Sequence, residues 1–116
     1  MSSGQSISEM QARLHEISER LRQAQHLGPE AQQDLAELVD ELGKSLDSSQ
    51  LPIAELTHLT DSAAHLLRSL EPPHNPSQLT AAKERMERAI FASEAQAPFI
   101  TGIARRLLEV LASIGI

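Results

Sequence analysis

The chain has 116 residues, 41% of them hydrophobic but only 2% aromatic, and carries a formal charge of −6 from 16 acids and 10 Lys or Arg. The length sets a single domain, 1–116; the negative charge argues against nucleic-acid binding by phosphate neutralisation; and the absence of cysteine removes disulfides, thiol catalysis and cysteine metal sites while fitting a reducing compartment. With no Tyr or Trp, the core falls to Leu, Ile, Val, Ala and Met, with Phe91 and Phe99 the sole rings, a composition that suits helix-on-helix packing better than a β-sandwich.

Met1 is followed by Ser2, Ser3, Gly4 and Gln5, with no basic segment and no long apolar run, so neither a secretory signal nor a membrane span is expected and the cytoplasm is the expected location. Apolar residues then recur at alternating spacings of three and four. Ile7, Met10, Leu14, Ile17 and Leu21 predict a first helix over 6–26, opened by a capping box of Ser6 and Glu9. Gly28-Pro29 acts as a stop followed by a start, and a second helix over 29–47 follows with Ala31, Leu35, Leu38, Val39, Leu42 and Leu46 on one face. Glu30, Asp34, Glu37, Asp40 and Glu41 load the rest of that helix with negative charge.

A short connection from Ser48 leads to Pro52, which is expected to open a third helix over 52–70 with Leu56, Leu59, Ala63, Leu66 and Leu70 as its stripe. Three prolines make 71–76 a loop. Ser77 is the expected cap of a fourth helix over 77–95, striped by Leu79, Ala82, Met86, Ala89 and Ile90. Pro98 breaks the series within 95–97 and starts a fifth helix over 98–114, a single kinked helix being the alternative. Gly115 can take the left-handed conformation and let Ile116 fold back on Leu111.

Connections this short favour antiparallel neighbours, so the expected fold is all-α, an up-and-down bundle of four to five helices with coiled-coil-like packing. The nearly strict spacing of helix one can either pack internally or supply a seam to a second subunit, which makes Ile7, Met10, Leu14, Ile17 and Leu21 the candidate interface. Charge is uneven: residues 1–76 hold twelve acids and five bases, residues 77–116 four acids and five bases. One half can attract the other, or a second copy.

Chemistry-bearing residues are sparse. His58, Asp61 and His65 share a stripe of helix three, but His58 and His65 lie two turns apart, about 10.5 Å along the axis, too far for both rings to reach one zinc. They are expected on the solvent side, opposite Leu59, Ala63 and Leu66, and no metal site is expected. His15 and Glu19 are spaced for a local ion pair. Glu37, Asp40 and Glu41 read as solvated carboxylates, and Arg85, Arg88, Arg105 and Arg106, interleaved with Glu84, Glu87 and Glu109, as exposed helix-surface pairs. No catalytic or cofactor-binding residue stands out. Gly102 costs about 1 kcal/mol against Ala in a helix interior, which calls for a close helix approach or a frayed first turn.

Two segments carry a resemblance. Met10-Gln11-Ala12-Arg13-Leu14-His15-Glu16 with Leu27-Gly28-Pro29-Glu30, and Glu94-Ala95-Gln96-Ala97-Pro98-Phe99 with the closing Leu111-Ala112-Ser113-Ile114-Gly115-Ile116, resemble the domain of unknown function 4404 family. Ala97 stands where that family tends to have His and Ser93 where it tends to have Phe, and most of helix three with the proline-rich loop is extra. The resemblance implies a small bacterial helical protein and brings no activity. The functional expectation is a non-enzymatic interaction or assembly protein that uses an apolar helix face to bind itself or a protein partner, with no nucleic acid, membrane or cofactor. The alternative is a helical module beside acidic helix two that binds a basic peptide or a small apolar ligand.

Overall fold

The computed structural model describes residues 6–73 and 75–116; the segment before Ser6, and His74 in the proline-rich loop, lie outside them. Helix α1 runs Ile7–Arg22, α2 Pro29–Ser45, α3 Ile53–Arg68, α4 Pro76–Ser93 and α5 Pro98–Ser113, with single 3-10 turns at Gln25–Leu27 and Leu46–Ser48. The protein is an all-α helical bundle.

Local chemistry sets each boundary. At the start of α1 the Ser6 hydroxyl accepts from the Glu9 amide at 3.1 Å while the Glu9 carboxylate accepts from the Ser6 amide at 3.0 Å, which satisfies two amides that lack a partner inside the helix. The helix ends four residues short of the expected 26. There the Gln32 side-chain amide donates to the carbonyls of Leu21 at 3.4 Å and Arg22 at 3.2 Å, and Gly28 at φ 87° turns the chain into α2. Helix α2 also stops early, at Ser45, whose hydroxyl donates back to the Glu41 carbonyl at 2.8 Å before the last turn tightens to 3-10 geometry.

Pro52 precedes α3 in extended backbone instead of occupying its first turn. At α4 the cap is Asn75, not Ser77: the Asn75 side-chain oxygen accepts from the amides of Ser77 at 2.8 Å and Gln78 at 3.3 Å. Pro76 thereby becomes the first helical residue, a position that needs no N–H, and because α3 already ends at Arg68, two residues before the expected 70, the connection runs 69–75. Helices α4 and α5 are two helices, not one kinked rod. Helix α4 ends at Ser93, the turn 94–97 reverses the chain, and Arg105 ties Glu94 of that turn to α5 at 2.6 Å. At the far end Gly115 takes φ 89°, and the Ile116 amide donates to the Leu111 carbonyl at 2.9 Å, closing a Schellman-type stop.

Side-chain pairings give the directions. Gln11 donates to the Gly43 carbonyl and Gln32 to the end of α1, so α1 and α2 are antiparallel. Arg13 meets Asp61 at 2.6 Å and Arg20 meets Glu71 at 3.2 Å, so α1 and α3 are parallel. Lys83 donates to the Ile116 carbonyl at 2.9 Å, which sets α4 against α5. One end of the bundle therefore gathers the starts of α1, α3 and α5 with the ends of α2 and α4.

Between the helices the interior is aliphatic. Its largest fully buried side chains are Met10, Leu14, Leu35, Leu42, Leu46, Leu56, Leu59, Leu66, Met86, Ile100, Leu107 and Leu111, drawn from all five helices. Thr60 is buried against Met10, its hydroxyl donating to the thioether at 3.3 Å. Neither Phe joins this interior, against the usual preference of large rings for burial.

Two positions depart from the best choice for stability. A Cβ added at Gly102 would meet nothing within 4 Å, and α5 is regular from Pro98 onward, so neither a close approach nor a frayed turn accounts for this glycine. The buried Ser62 hydroxyl has no hydrogen-bond partner among the described residues. Gly102→Ala is expected to raise the unfolding free energy by about 0.5–1 kcal/mol, and Ser62→Ala by about 1 kcal/mol. Urea unfolding checks both; a loss of stability in either variant contradicts the packing described.

Candidate interaction surfaces

The apolar stripe of α1 faces inward. Met10, Leu14, Ile17 and Leu21 are buried within the chain and Ile7 is partly buried, because α1 is covered by α2 on one side and by α3 on the other. The five residues expected to offer a seam to a second subunit are instead part of the bundle's own core.

On α3, His58 and His65 are exposed as expected, while the carboxylate between them is engaged elsewhere: Asp61 accepts from Arg13 at 2.6 Å. No group of three or more His, Asp or Glu among the described residues is placed to hold a metal ion. The expected pair of His15 with Glu19 is replaced by Glu19 with Arg22 at 3.6 Å, and Arg22 also donates to Asp40 at 2.7 Å. Asp40 is thus engaged across the α1–α2 contact and is not a free solvated carboxylate. Partial burial works to raise its pKa, but the Arg22 hydrogen bond, helped by Ser18, the Arg22 charge and His15, outweighs it and holds the carboxyl below its ordinary value.

Among the cations of α4 and α5, Arg105 pairs with Glu94, whereas Arg85, Arg88 and Arg106 have no carboxylate at ion-pair distance among the described residues. The surface pairs expected with Glu84, Glu87 and Glu109 do not form.

What the sequence reading missed is the placement of the rings. Phe91, in the last turn of α4, is 81% exposed, and Phe99, in the first turn of α5, is 70% exposed. Ile53, the first residue of α3, is 51% exposed. By the helix directions all three stand at the same end of the bundle, where Ala92, Ala95 and Pro98, near the rings in sequence, are also exposed and Phe99 lines a pocket with Ser45, Ser48, Ser49 and Gln50. The spacing carried the signal: Phe91 follows buried Ile90, and Phe99 precedes buried Ile100, so each ring falls outside its helix's stripe.

Two of the bundle's other concave surfaces bear on binding. A groove of about 490 Å³ runs between α2 and α5, with Leu38 and Val110 in its floor and Asp34, Glu37, Glu41 and Glu109 around a single cation, Arg106. At the other end of the bundle an apolar hollow of about 150 Å³ is lined by Leu27, Leu70, Leu79, Ile114 and Ile116, with His26 at its side. His26 is fixed there by its ring N–H, which donates to the Leu70 carbonyl at 3.0 Å.

No family model matches this chain, and no curated protein or solved structure matches it either. The class of protein is therefore set by its own geometry: a five-helix bundle with an aliphatic interior and an aromatic, apolar end. No helix among the described residues is long and apolar enough to cross a membrane.

The depressed pKa of Asp40 fixes the sign of an acid effect. A carboxyl held lower in the folded than in the unfolded chain adds stability above its unfolded pKa, and that stability is lost as pH falls through the folded value. Unfolding free energy is expected to decline below about pH 4, where Asp ordinarily titrates, and Asp40→Asn to decline less over the same range. Urea titrations at stepped pH measure this; equal slopes for the two proteins would contradict the Arg22–Asp40 contact.

Proposed function

We propose that this is a non-enzymatic interaction or assembly protein that acts through the apolar end formed by Ile53, Phe91 and Phe99. The observation that carries the reading is that a chain with only two aromatic residues places both on its surface, at 81% and 70% exposure, at one end of the bundle. Large exposed rings are costly in water and mark contact sites when they cluster. The reading moves the contact surface from α1 to the α4–α5 hairpin. The resemblance to the domain of unknown function 4404 family is in keeping with a small bacterial helical protein, and it covers this same hairpin through Glu94-Ala95-Gln96-Ala97-Pro98-Phe99.

The groove between α2 and α5 favours a second reading, a module for a basic peptide. Four carboxylates around Leu38 and Val110 suit an amphipathic segment with cations on its rim and apolar residues facing the floor. Binding of such a peptide would weaken with salt and be lost in Glu37→Lys with Glu41→Lys.

A photoreactive amino acid placed at position 91, and in a control chain at exposed position 15, tests the first reading when cells producing the full chain are irradiated. The apolar-end reading expects adducts at 91 and none at 15. No adduct at 91 would overturn it.

A further inference from the structure

We propose that the groove between α2 and α5 takes one basic amphipathic helix of a protein partner, laid along the seam with its backbone closest to α5 at Gly102; this rests on the basic-peptide reading above and gives its ligand a form and a path. The hollow of about 490 Å³ is lined by α2 from Asp34 to Glu41 and by α5 from Arg106 to Ser113. A second hollow, of about 330 Å³, has Ser45 and Ser48 on one wall and Phe99 and Ile100 on the other. The end of α2 and the start of α5 lie at the same end of the bundle, so the second hollow continues the first along one antiparallel pair. Helical phase puts both on the same side of the seam. On α2 and the turn that closes it, Asp34, Leu38, Glu41, Ser45 and Ser48 follow one another at spacings of four and three, which mark one face. On α5, Phe99, Arg106, Glu109 and Ser113 share one such stripe, and Gly102 falls on it between Phe99 and Arg106.

Gly102 has no reason inside the chain. It is half-exposed, a Cβ added there would meet no atom within 4 Å, and it weakens its helix relative to Ala. A glycine on the wall of a groove lets the backbone of an occupant come closer than any other residue allows. The position costs the free chain stability and gains its use when the groove is filled.

Charge defines the occupant. Asp34, Glu37, Glu41 and Glu109 line the groove with one guanidinium, Arg106, and none of the four has a cation at ion-pair distance among the described residues. Their complement is a segment with Lys or Arg along its edges and apolar residues toward Leu38 and Val110. Toward Ser45 and Ser48 the walls turn neutral and the exposed Phe99 ring closes the run, so the cations belong over the Asp34–Glu41 half and an apolar residue over the other. The occupant is helical because α2 and α5 use their backbone groups internally and offer no edge with which an extended chain could pair. From Asp34 to Ser48 the groove is about 21 Å long, the rise of about 14 helical residues.

The probe is a fluorescent peptide of Leu, Ala and Lys, about 18 residues long with Leu at helical spacing, titrated with the full chain and read by anisotropy. A second peptide of the same composition, its Leu alternating with Lys, is the strand-forming control. The helical peptide is expected to bind, about tenfold more weakly at 300 than at 50 mM salt, and binding is lost in Glu37→Lys with Glu41→Lys. In Gly102→Leu, whose circular dichroism matches the parent, binding falls about tenfold. In Gly102→Ala it falls by a smaller factor although the chain itself is more stable, which damage to the fold would not produce. No binding of the helical peptide, or binding that survives the two Lys substitutions, removes the proposal and the basic-peptide reading together. Binding lost in the Lys substitutions but unchanged in both Gly102 variants, or equal binding of the alternating peptide, leaves the basic-peptide reading and overturns the helix over Gly102.

Discussion

An interior built from aliphatic side chains alone is the constraint on which the rest of the structure depends. Leu, Ile, Met and Ala from five helices interdigitate until Leu35, Leu42, Leu59, Met86 and Leu111 have no accessible surface. Such side chains fill space in small increments and fix the distance between helices through many weak contacts. Phe91 and Phe99 lie outside this interior, each one residue off its helix's buried stripe.

The α1–α2–α3 face shows how completely the chain shelters its own apolar surface. Arg13 with Asp61, Arg22 with Asp40 and Gln11 with the Gly43 carbonyl ring the packed stripe of α1 with polar contacts to both neighbours. None of these exposed or half-exposed pairs supplies much stability; their effect is to fix which helix lies beside which. The same logic divides the surface into an acidic flank along α2 and a nearly neutral tip at the α4–α5 hairpin, and it is the tip that carries the unsheltered rings.

Much of the fold was legible because the stripes are regular. Every apolar position assigned to α2, α3 and α4 is buried, and along the last helix Ile100, Ile103, Leu107 and Leu111 are buried, whereas Ile114, just past its end, is 36% exposed. Boundaries were less legible, because they depend on reach across the fold: Gln32 ends α1 from the next helix, and Asn75, whose side chain reaches two amides ahead, starts α4 before the residue that looked like its cap. The functional surface was the least legible. The strict spacing in α1 describes a good core helix and a good coiled-coil seam equally well, and only the presence of α2 and α3 on its two sides decides between them. The rings gave no such pattern, since residues on different helices come to the same end of the bundle only after the chain has turned at 94–97.

The decisive property is whether the rings are dispensable to the fold. Unfolding in urea compares Phe91→Ala with Phe99→Ala in one chain against Leu14→Ala in another. The double aromatic variant should lose less than about 1 kcal/mol, as exposed positions do, and the leucine variant about 2–5 kcal/mol from the cavity it leaves. A loss of several kcal/mol from the two rings would mean that they hold the bundle together, and that the apolar end is part of its core.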